Sequence, residues 1–216
     1  MRIVVAIDGP AASGKSSVAK EISSRLGLSY IDSGAFYRAI TWWILRSQAD
    51  PESSAQVAAV LTASRIDSGF EGTEAFLHVD GFNPESHLRD ENVNRYVSPV
   101  SAVPAVRHCL TTHLRDLASQ RDVVVVGRDI GSVVFPETPY KFYIDASQKV
   151  RQQRRIAEGQ DDEIARRDQI DSSRATSPLK RARGAQLIDS THLSVEGVVE
   201  QLMRQLAAQG LAMPRR

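Results

Sequence analysis

The chain has 216 residues, of which 42% are hydrophobic and 25% charged, and its formal net charge is +1. This composition is typical of a folded globular protein and excludes a disordered one. The balanced charge also argues against general binding to a nucleic-acid backbone, which usually goes with a strong basic excess.

The cysteine content and the short apolar runs of the chain indicate its cellular compartment. Cys109 is the single cysteine, so neither a disulfide framework nor a multi-cysteine zinc site can form. The apolar run 3–7 is too short for a signal peptide, and the run 39–45 falls far below the ~20 residues of a membrane helix. We therefore expect a cytoplasmic location.

The first half of the chain begins with a strand, a glycine-rich turn and a helix. Residues 3–7 form a β-branched run, and apolar residues recur at helical spacing from Lys15 until Gly27. An extended piece over 28–31 leads into a second amphipathic helix that ends near Gln48. From 51 to about 99 the sequence pattern changes, and alternating apolar residues predict an inserted subdomain with a little antiparallel sheet.

The second half alternates between helices and strands. A long helix follows Pro104, and the continuous apolar runs 123–126 and 141–144 are typical of buried parallel strands. A last strand over 185–188 and a helix over 195–206 complete an α/β fold with a parallel sheet. The highly charged stretch 151–183 is predicted to be a solvated, mobile helical flap.

A phosphate-binding motif stands between the first strand and the first helix. Residues 9–16 read G-P-A-A-S-G-K-S and fit the P-loop pattern G-x-x-x-x-G-K-[ST] at every fixed position. Its glycines let successive backbone N–H groups face phosphate oxygens, Lys15 reaches the outer phosphates, and the Ser16 hydroxyl can bind Mg²⁺. The predicted cofactor-binding residues are Gly9, Pro10, Ala11, Ala12, Ser13, Gly14, Lys15, Ser16 and Ser17.

Two other classes of P-loop protein fit less well. A GTPase would add D-x-x-G and N-K-x-D motifs, and neither occurs in the chain. An energy-coupling ATPase would end an apolar strand in a metal-binding acid, but here Arg128 precedes Asp129. That arginine indicates a second anion beside the first.

Further arginines strengthen the prediction of two anions. Arg38 with Tyr37 stands early on the second helix, and Arg107 stands early on the helix that follows Pro104. In the charged flap, Arg167, Asp171 and Arg174 fall at i, i+4 and i+7, so we expect them on one helical face, which is either part of the site or a solvated face of ion pairs. Phosphoryl transfer needs such an arrangement, because its cost lies in aligning donor and acceptor and neutralising charge while water is excluded.

Five sequence blocks together resemble those of bacterial cytidylate (CMP/dCMP) kinases. The blocks are I-D-G-P-A-A-S-G-K-S at 7–16, I-D-S-G-A-F-Y-R at 31–38, V-G-R-D-I-G-S-V-V-F-P at 126–136, R-D-Q-I-D-S-S-R at 167–174 and L-I-D-S-T at 187–191. The second and third blocks separate this family from adenylate, thymidylate and shikimate kinases. One departure is the stretch 156–166, which is shorter than the lid expected of the long bacterial type of this family.

The resemblance implies a three-layer P-loop kinase fold in three parts. The core would be 1–50, 99–150 and 184–216, the inserted monophosphate-binding subdomain 51–98, and the helical lid 151–183. It also implies ATP and Mg²⁺ as cofactors, with Ser16 as metal ligand.

The same resemblance implies the role of each site residue. Lys15, Arg128 and Arg174 would be catalytic. Cytosine would be bound by Ser98, Arg107 and Asp129, and the ribose by Arg167 and Asp171. The implied substrate-binding residues are Ser33, Tyr37, Arg38, Ser98, Arg107, Arg128, Asp129, Arg167, Asp171 and Arg174.

The predicted reaction is the transfer of the γ-phosphoryl group of ATP to CMP or dCMP. A kinase for another monophosphate, notably UMP, is the alternative within the same class. A P-loop regulator that senses nucleotides without kinase activity is the alternative from another class. We expect CMP and dCMP as small-molecule partners, no nucleic-acid or membrane partner, and a monomer.

Overall fold

The computed structural model describes residues 2–157, 159, 164–174 and 177–211, without the side chain of Arg167. The chain divides into two compact units, which we call the first unit (Met1–Ile31 with Ala118–Arg216) and the second unit (Asp32–Leu117). The strands are β1 (Val4–Asp8), β2 (Ser29–Asp32), β3 (Ile66–Glu71), β4 (Glu74–Val79), β5 (Val123–Gly127), β6 (Tyr140–Asp145) and β7 (Gln186–Asp189). The helices are α1 (Lys15–Leu26), α2 (Ser33–Arg46), α3 (Ser54–Ala63), α4 (Glu91–Ala102), α5 (Pro104–Gln120), α6 (Gln148–Ala157), α7 (Ile164–Ser173) and α8 (Val195–Ala208).

The first unit is an α/β structure whose strands lie in the order β2-β5-β1-β6-β7. β1 is parallel to both of its neighbours, with Val4 opposite Val123 on β5 and Val5 opposite Tyr140 on β6. β6 and β7 are also parallel. Because parallel strands end at one edge of a sheet, the loop after β1 and the residues after β5 lie side by side.

The core of the first unit explains its continuous apolar strands. All four valines of 123–126 are at most 1% exposed, so both faces of β5 are covered. On one face, alternate strand residues such as Ile7 and Val124 pack with Ile22 of α1 and Leu202 of α8. α1 ends at Leu26 and is capped by Gly27, whose left-handed backbone (φ 66°) stops the helix where the sequence predicted.

The second unit combines four α-helices and a short 3-10 helix (Glu85–His87) with one hairpin. β3 and β4 pair antiparallel, with Ile66 opposite Val79, as the alternating pattern predicted. The side chain of Trp42 stacks on His87 with ring centroids 5.2 Å apart, and Trp43 lies 5.7 Å from Phe82. The second unit therefore holds an aromatic cluster around α2.

Two features differ from the sequence predictions. α4 was not predicted, because Pro99 lies inside it and a proline normally marks the end of a helix. The prediction of a solvated flap is wrong at Arg155, Ile164 and Asp171, which are at most 4% exposed. The mobility of 151–183 and the division of the chain into core, inserted subdomain and lid remain predictions.

None of the helices in the described ranges is long and apolar enough to cross a membrane.

Candidate active site

The P-loop connects β1 to α1 and depends on glycine at both ends. A Cβ atom added to Gly9 would lie 2.1 Å from the carbonyl oxygen of Ile144, so only glycine fits against β6. Gly14 has φ 85°, a left-handed conformation that starts α1 at the next residue. Within the loop, Lys15 Nζ donates a hydrogen bond of 2.8 Å to the carbonyl oxygen of Pro10.

The beginning of α1 has the properties of an anion site. The first N–H groups of any helix lack intrahelical acceptors, and Gly14 supplies no side chain to cap them. The first turn contains no acidic residue. The positive end of the helix dipole therefore faces the loop, where it favours bound phosphate.

Ser190, which follows β7, supports the P-loop from one side. Its hydroxyl donates to the carbonyl oxygen of Ser13 at 3.0 Å, and both serines are buried. Arg154 of α6 binds Ser190 twice, from Nη1 to Oγ at 3.0 Å and from Nη2 to the carbonyl oxygen at 2.7 Å. The block at 187–191 thus links the P-loop to α6.

Asp168 of α7 contacts the P-loop directly. Its Oδ1 accepts a hydrogen bond of 3.1 Å from the backbone N–H of Ala11. Arg151 of α6 donates both to Asp168 Oδ2 and, at 3.1 Å, to the carbonyl oxygen of Ala11. The Asp168 carboxylate therefore accepts a hydrogen bond from a loop whose N–H groups suit phosphate oxygens.

Three residues at the predicted second anion site form one charge cluster. Asp171 Oδ2 lies 3.0 Å from Arg128 Nε, and its Oδ1 accepts from Arg174 Nη2. Arg128 also donates from Nη1 to the carbonyl oxygen of Gly9 at 2.6 Å. The cluster therefore places two guanidinium groups near the P-loop, and their binding of a second anion stays a prediction.

Asp8, the last residue of β1, holds the turn that follows β5. Its Oδ1 and Oδ2 accept hydrogen bonds of 2.8 Å from the N–H groups of Ile130 and Gly131 respectively. Burial raises the pKa of the Asp8 carboxyl to about 7. The two N–H donors and Lys15 oppose this rise, whereas the Asp129 carboxylate adds to it.

The predicted acceptor residues of the second unit lie on α2, α4 and α5. The Arg107 guanidinium lies 5.3 Å from the centre of the Tyr37 ring and donates to the Ser101 carbonyl oxygen at 3.1 Å. Ser101 in turn donates its hydroxyl to the Ser98 carbonyl oxygen. Arg107 is only 6% exposed, so α4 and α5 bury a guanidinium group together with polar partners.

At the start of α2, the other two acceptor candidates lie close in sequence. Ser33 is its first residue and is buried, and Asp32 caps the helix by accepting from the Ala35 N–H. Arg38 donates to the Gly34 carbonyl oxygen at 3.2 Å. Ser33 and Arg38 therefore share the first turns of one helix.

Known proteins similar to this chain place it among nucleotide kinases. A family profile described as cytidylate kinase matches residues 5–208. A cytidylate kinase of Nocardia farcinica is 40% identical over 96% of this chain and 94% of its own length. A cytidylate kinase of Streptomyces avermitilis is 41% identical over 92% of this chain and 90% of its own length.

The chain belongs to the cytidylate kinase family. It is thus a nucleoside monophosphate kinase, and the family implies ATP as phosphate donor. Among solved structures, the tunicamycin resistance protein of Deinococcus radiodurans shares the fold, with a TM-score of 0.50, 16% identity and complete coverage of both chains. The sequence-based recognition of the family is confirmed.

The structure adds residues to those that the cytidylate kinase blocks indicated. Asp8, Asp168 and Arg151 each contact the P-loop or the turn after β5, and Arg154 contacts Ser190, which supports the P-loop; none of the four was predicted as a site residue. Asp8 and Asp168 lie inside the blocks at 7–16 and 167–174, and this was the only feature of the sequence that could have indicated them. Arg174 follows the last residue of α7 rather than lying within it. The predicted role of Arg167 concerns a side chain outside the described atoms.

Proposed function

We propose that this chain transfers the γ-phosphoryl group of ATP to CMP or dCMP, giving ADP with CDP or dCDP. The observation that carries the proposal is the P-loop, built as an anion site at the start of α1, in a chain that matches cytidylate kinases over nearly its whole length. A cytoplasmic, monomeric enzyme without nucleic-acid or membrane partners completes the proposal.

The donor side of the reaction is assigned to the P-loop. The amides at the start of α1 would bind the phosphates of ATP, and Lys15 would neutralise charge on the transferring group. In the described residues no group of three His, Cys, Asp or Glu side chains could hold a metal ion. We propose the Ser16 hydroxyl and the nucleotide as ligands of Mg²⁺, which would neutralise phosphate charge.

The acceptor phosphate is assigned to arginines. Arg128 and Arg174 share the carboxylate of Asp171, and this contact holds both guanidinium groups in place. A planar guanidinium binds phosphate through two parallel hydrogen bonds, which fixes orientation as well as charge. We propose that Arg38, with Ser33 and Tyr37 on the same helix, also binds the acceptor. Arg167 and Asp171 are proposed to bind the ribose.

The base is assigned by the polarity of its hydrogen bonds. Cytosine offers an amino donor beside two acceptors, N3 and O2, whereas uracil offers a carbonyl oxygen beside an N3–H. A carboxylate only accepts and a guanidinium only donates, so Asp129 and Arg107 suit cytosine. Both side chains are buried, and mismatched partners would stay unpaired there. Ser98 is proposed as the third contact.

The transfer itself needs no covalent intermediate with the protein. Burial raises the pKa of the Cys109 thiol, which keeps it protonated and weakly nucleophilic. The residues of the site instead align two nucleotides, neutralise charge and exclude water, which is how in-line phosphoryl transfer is accelerated.

The deciding experiment measures ADP formation with a panel of monophosphates. Purified protein is given ATP and Mg²⁺ together with CMP, dCMP, UMP, AMP or GMP, or with no acceptor. We expect ADP with CMP and dCMP and none without an acceptor. Equal or faster turnover of UMP would support the kinase for another monophosphate. Nucleotide binding without any turnover would support a P-loop regulator.

A further inference from the structure

Asp8 is a buried carboxylate whose two oxygens both bind backbone. It is 2% exposed, and each oxygen accepts one N–H of the turn after β5, from Ile130 and from Gly131, at 2.8 Å. A buried charge is costly unless its hydrogen bonds are made. This carboxylate occupies the end of the strand that leads into the P-loop.

The turn that Asp8 holds is wide and tightly packed. Its backbone closes across five residues, from the Val134 N–H to the Asp129 carbonyl oxygen and from the Phe135 N–H to that of Ile130. Such wide turns are less stable than a regular helix and are common at functional sites. A Cβ atom added to Gly131 would lie 3.2 Å from Lys141 Cγ, so the turn has little room to move.

The residues immediately before this turn are those assigned to the acceptor nucleotide. Arg128 and Asp129 connect β5 to the held amides, and Arg128 also donates to the carbonyl oxygen of Gly9, next to Asp8. The segment 128–131 is therefore bound to the end of β1 at two places, through Arg128 and through the amides of Ile130 and Gly131.

We propose that Asp8 is a positioning residue, whose ionised carboxylate holds the turn after β5 and thereby orients Arg128 and Asp129 for the reaction. This inference rests on the proposed function of those two residues. A protonated carboxyl would present an O–H to one of two N–H groups, so only the ionised form satisfies both.

The charged and titratable groups around Asp8 come from three elements. Asp129 faces it from the segment after β5, Lys15 from α1, and Tyr143 stands opposite it on β6. Burial with the like charge of Asp129 outweighs the donors and Lys15, so the pKa of Asp8 is about 7. Ionisation of Asp8 near neutral pH therefore opposes folding.

The test compares Asp8→Asn with Asp122→Asn as matched control. Asp122 stands at the opposite end of the same two strands and accepts the Ile3 N–H at 2.9 Å. In Asp8→Asn we expect kcat/KM for CMP to fall about tenfold to a hundredfold, with KM for ATP within about twofold. The control should keep both parameters.

The pH profile separates positioning from a merely structural role. Wild-type kcat/KM for CMP should fall below about pH 7 as Asp8 is protonated, and the amide NMR signals of Ile130 and Gly131 should titrate at the same pH. In Asp8→Asn the acidic limb should move down to about pH 6, where the phosphate of CMP itself takes up a proton. A limb that stays at the wild-type pH, or CMP kinetics within about twofold of wild type, would overturn the proposal.

The test still decides if Asp8→Asn does not fold or if the wild type is inactive. If Asp8→Asn does not fold, the wild-type amide titration alone decides, and amides that do not titrate with activity reject the proposal. If the wild type phosphorylates no acceptor, the proposed function has failed, whereas faster hydrogen exchange at Ile130 and Gly131 in Asp8→Asn would still show that Asp8 holds the turn.

Discussion

Arg128 and Asp171 form an ion pair, with Nε 3.0 Å from Oδ2, in which the side chains are only 15% and 3% exposed. Arg174, on the other oxygen, is 6% exposed. Buried pairs differ from surface pairs in that the loss of one partner leaves a desolvated charge behind. The two guanidinium groups therefore share one buried carboxylate.

Asp171→Asn should strongly destabilise the chain, because it leaves two buried guanidinium groups around a neutral amide. We expect the free energy of unfolding in urea to fall by about 3 kcal/mol. Glu21→Gln, which removes a solvent-exposed pair with Arg25, is the control and should leave the unfolding midpoint unchanged. An equal response of the two variants would contradict the importance of burial.

Lys15→Ala should abolish most turnover while the fold is retained. Loss of one preorganised charge on the transferring group typically lowers the rate ~10²-fold or more. The matched control is Lys20→Ala, on the exposed side of the same helix, where the ammonium lies 5.3 Å from the centre of the Tyr30 ring. Turnover of Lys15→Ala within about threefold of wild type would reject the P-loop assignment.

CMP should be preferred to UMP by at least about tenfold to a hundredfold in kcat/KM, because uracil leaves buried polar groups unpaired. Asp129→Asn should narrow this preference, mainly by losing activity with CMP, since an amide can donate as well as accept. Competition assays with both monophosphates measure the ratio. A ratio that Asp129→Asn leaves untouched would refute the assignment of the base pocket.

Amide hydrogen exchange over 164–174 should slow when CMP and an ATP analogue are added together. The cluster of Arg128, Asp171 and Arg174 gains phosphate partners, which raises the cost of opening this segment. Exchange in α8 serves as the internal control, because this helix belongs to the core. Unchanged exchange in 164–174 would count against its prediction as part of a lid.

The stability of the wild type should fall relative to Asp8→Asn as the pH rises from about 4 to about 7. The folded pKa of Asp8 lies above its ordinary value of 3.8, so the folded state holds the extra proton across this window. Stability then decreases with rising pH. Urea unfolding at several pH values gives the slope, and parallel curves for the two proteins would show that the pKa of Asp8 is not raised.

The sequence predicted those parts of the fold that local patterns determine. The valines of 123–126 and the β-branched run 3–7 indicated buried strands, and the spacing of glycines and Lys15 indicated the P-loop. Both follow from periodicity or from backbone geometry within a few residues.

Contacts between distant parts of the chain were beyond such patterns. Asp168 contacts Ala11, 157 residues away, and Asp8 contacts Ile130, 122 residues away. Nothing local distinguishes these carboxylates from a turn residue or a surface charge. α4 was missed because Pro99 is a local signal for the end of a helix. In the folded protein, packing against α2 outweighs that signal.

The aromatic cluster of the second unit makes the two halves of the molecule spectroscopically distinct. Trp42 and Trp43, the only tryptophans in the chain, both lie on α2, stacked on His87 and beside Phe82 respectively. Selectively excited fluorescence therefore reports on the second unit alone, whereas far-ultraviolet circular dichroism records helices of both. Coincident melting curves from the two signals would indicate one cooperative transition, and separated curves would give each unit its own stability.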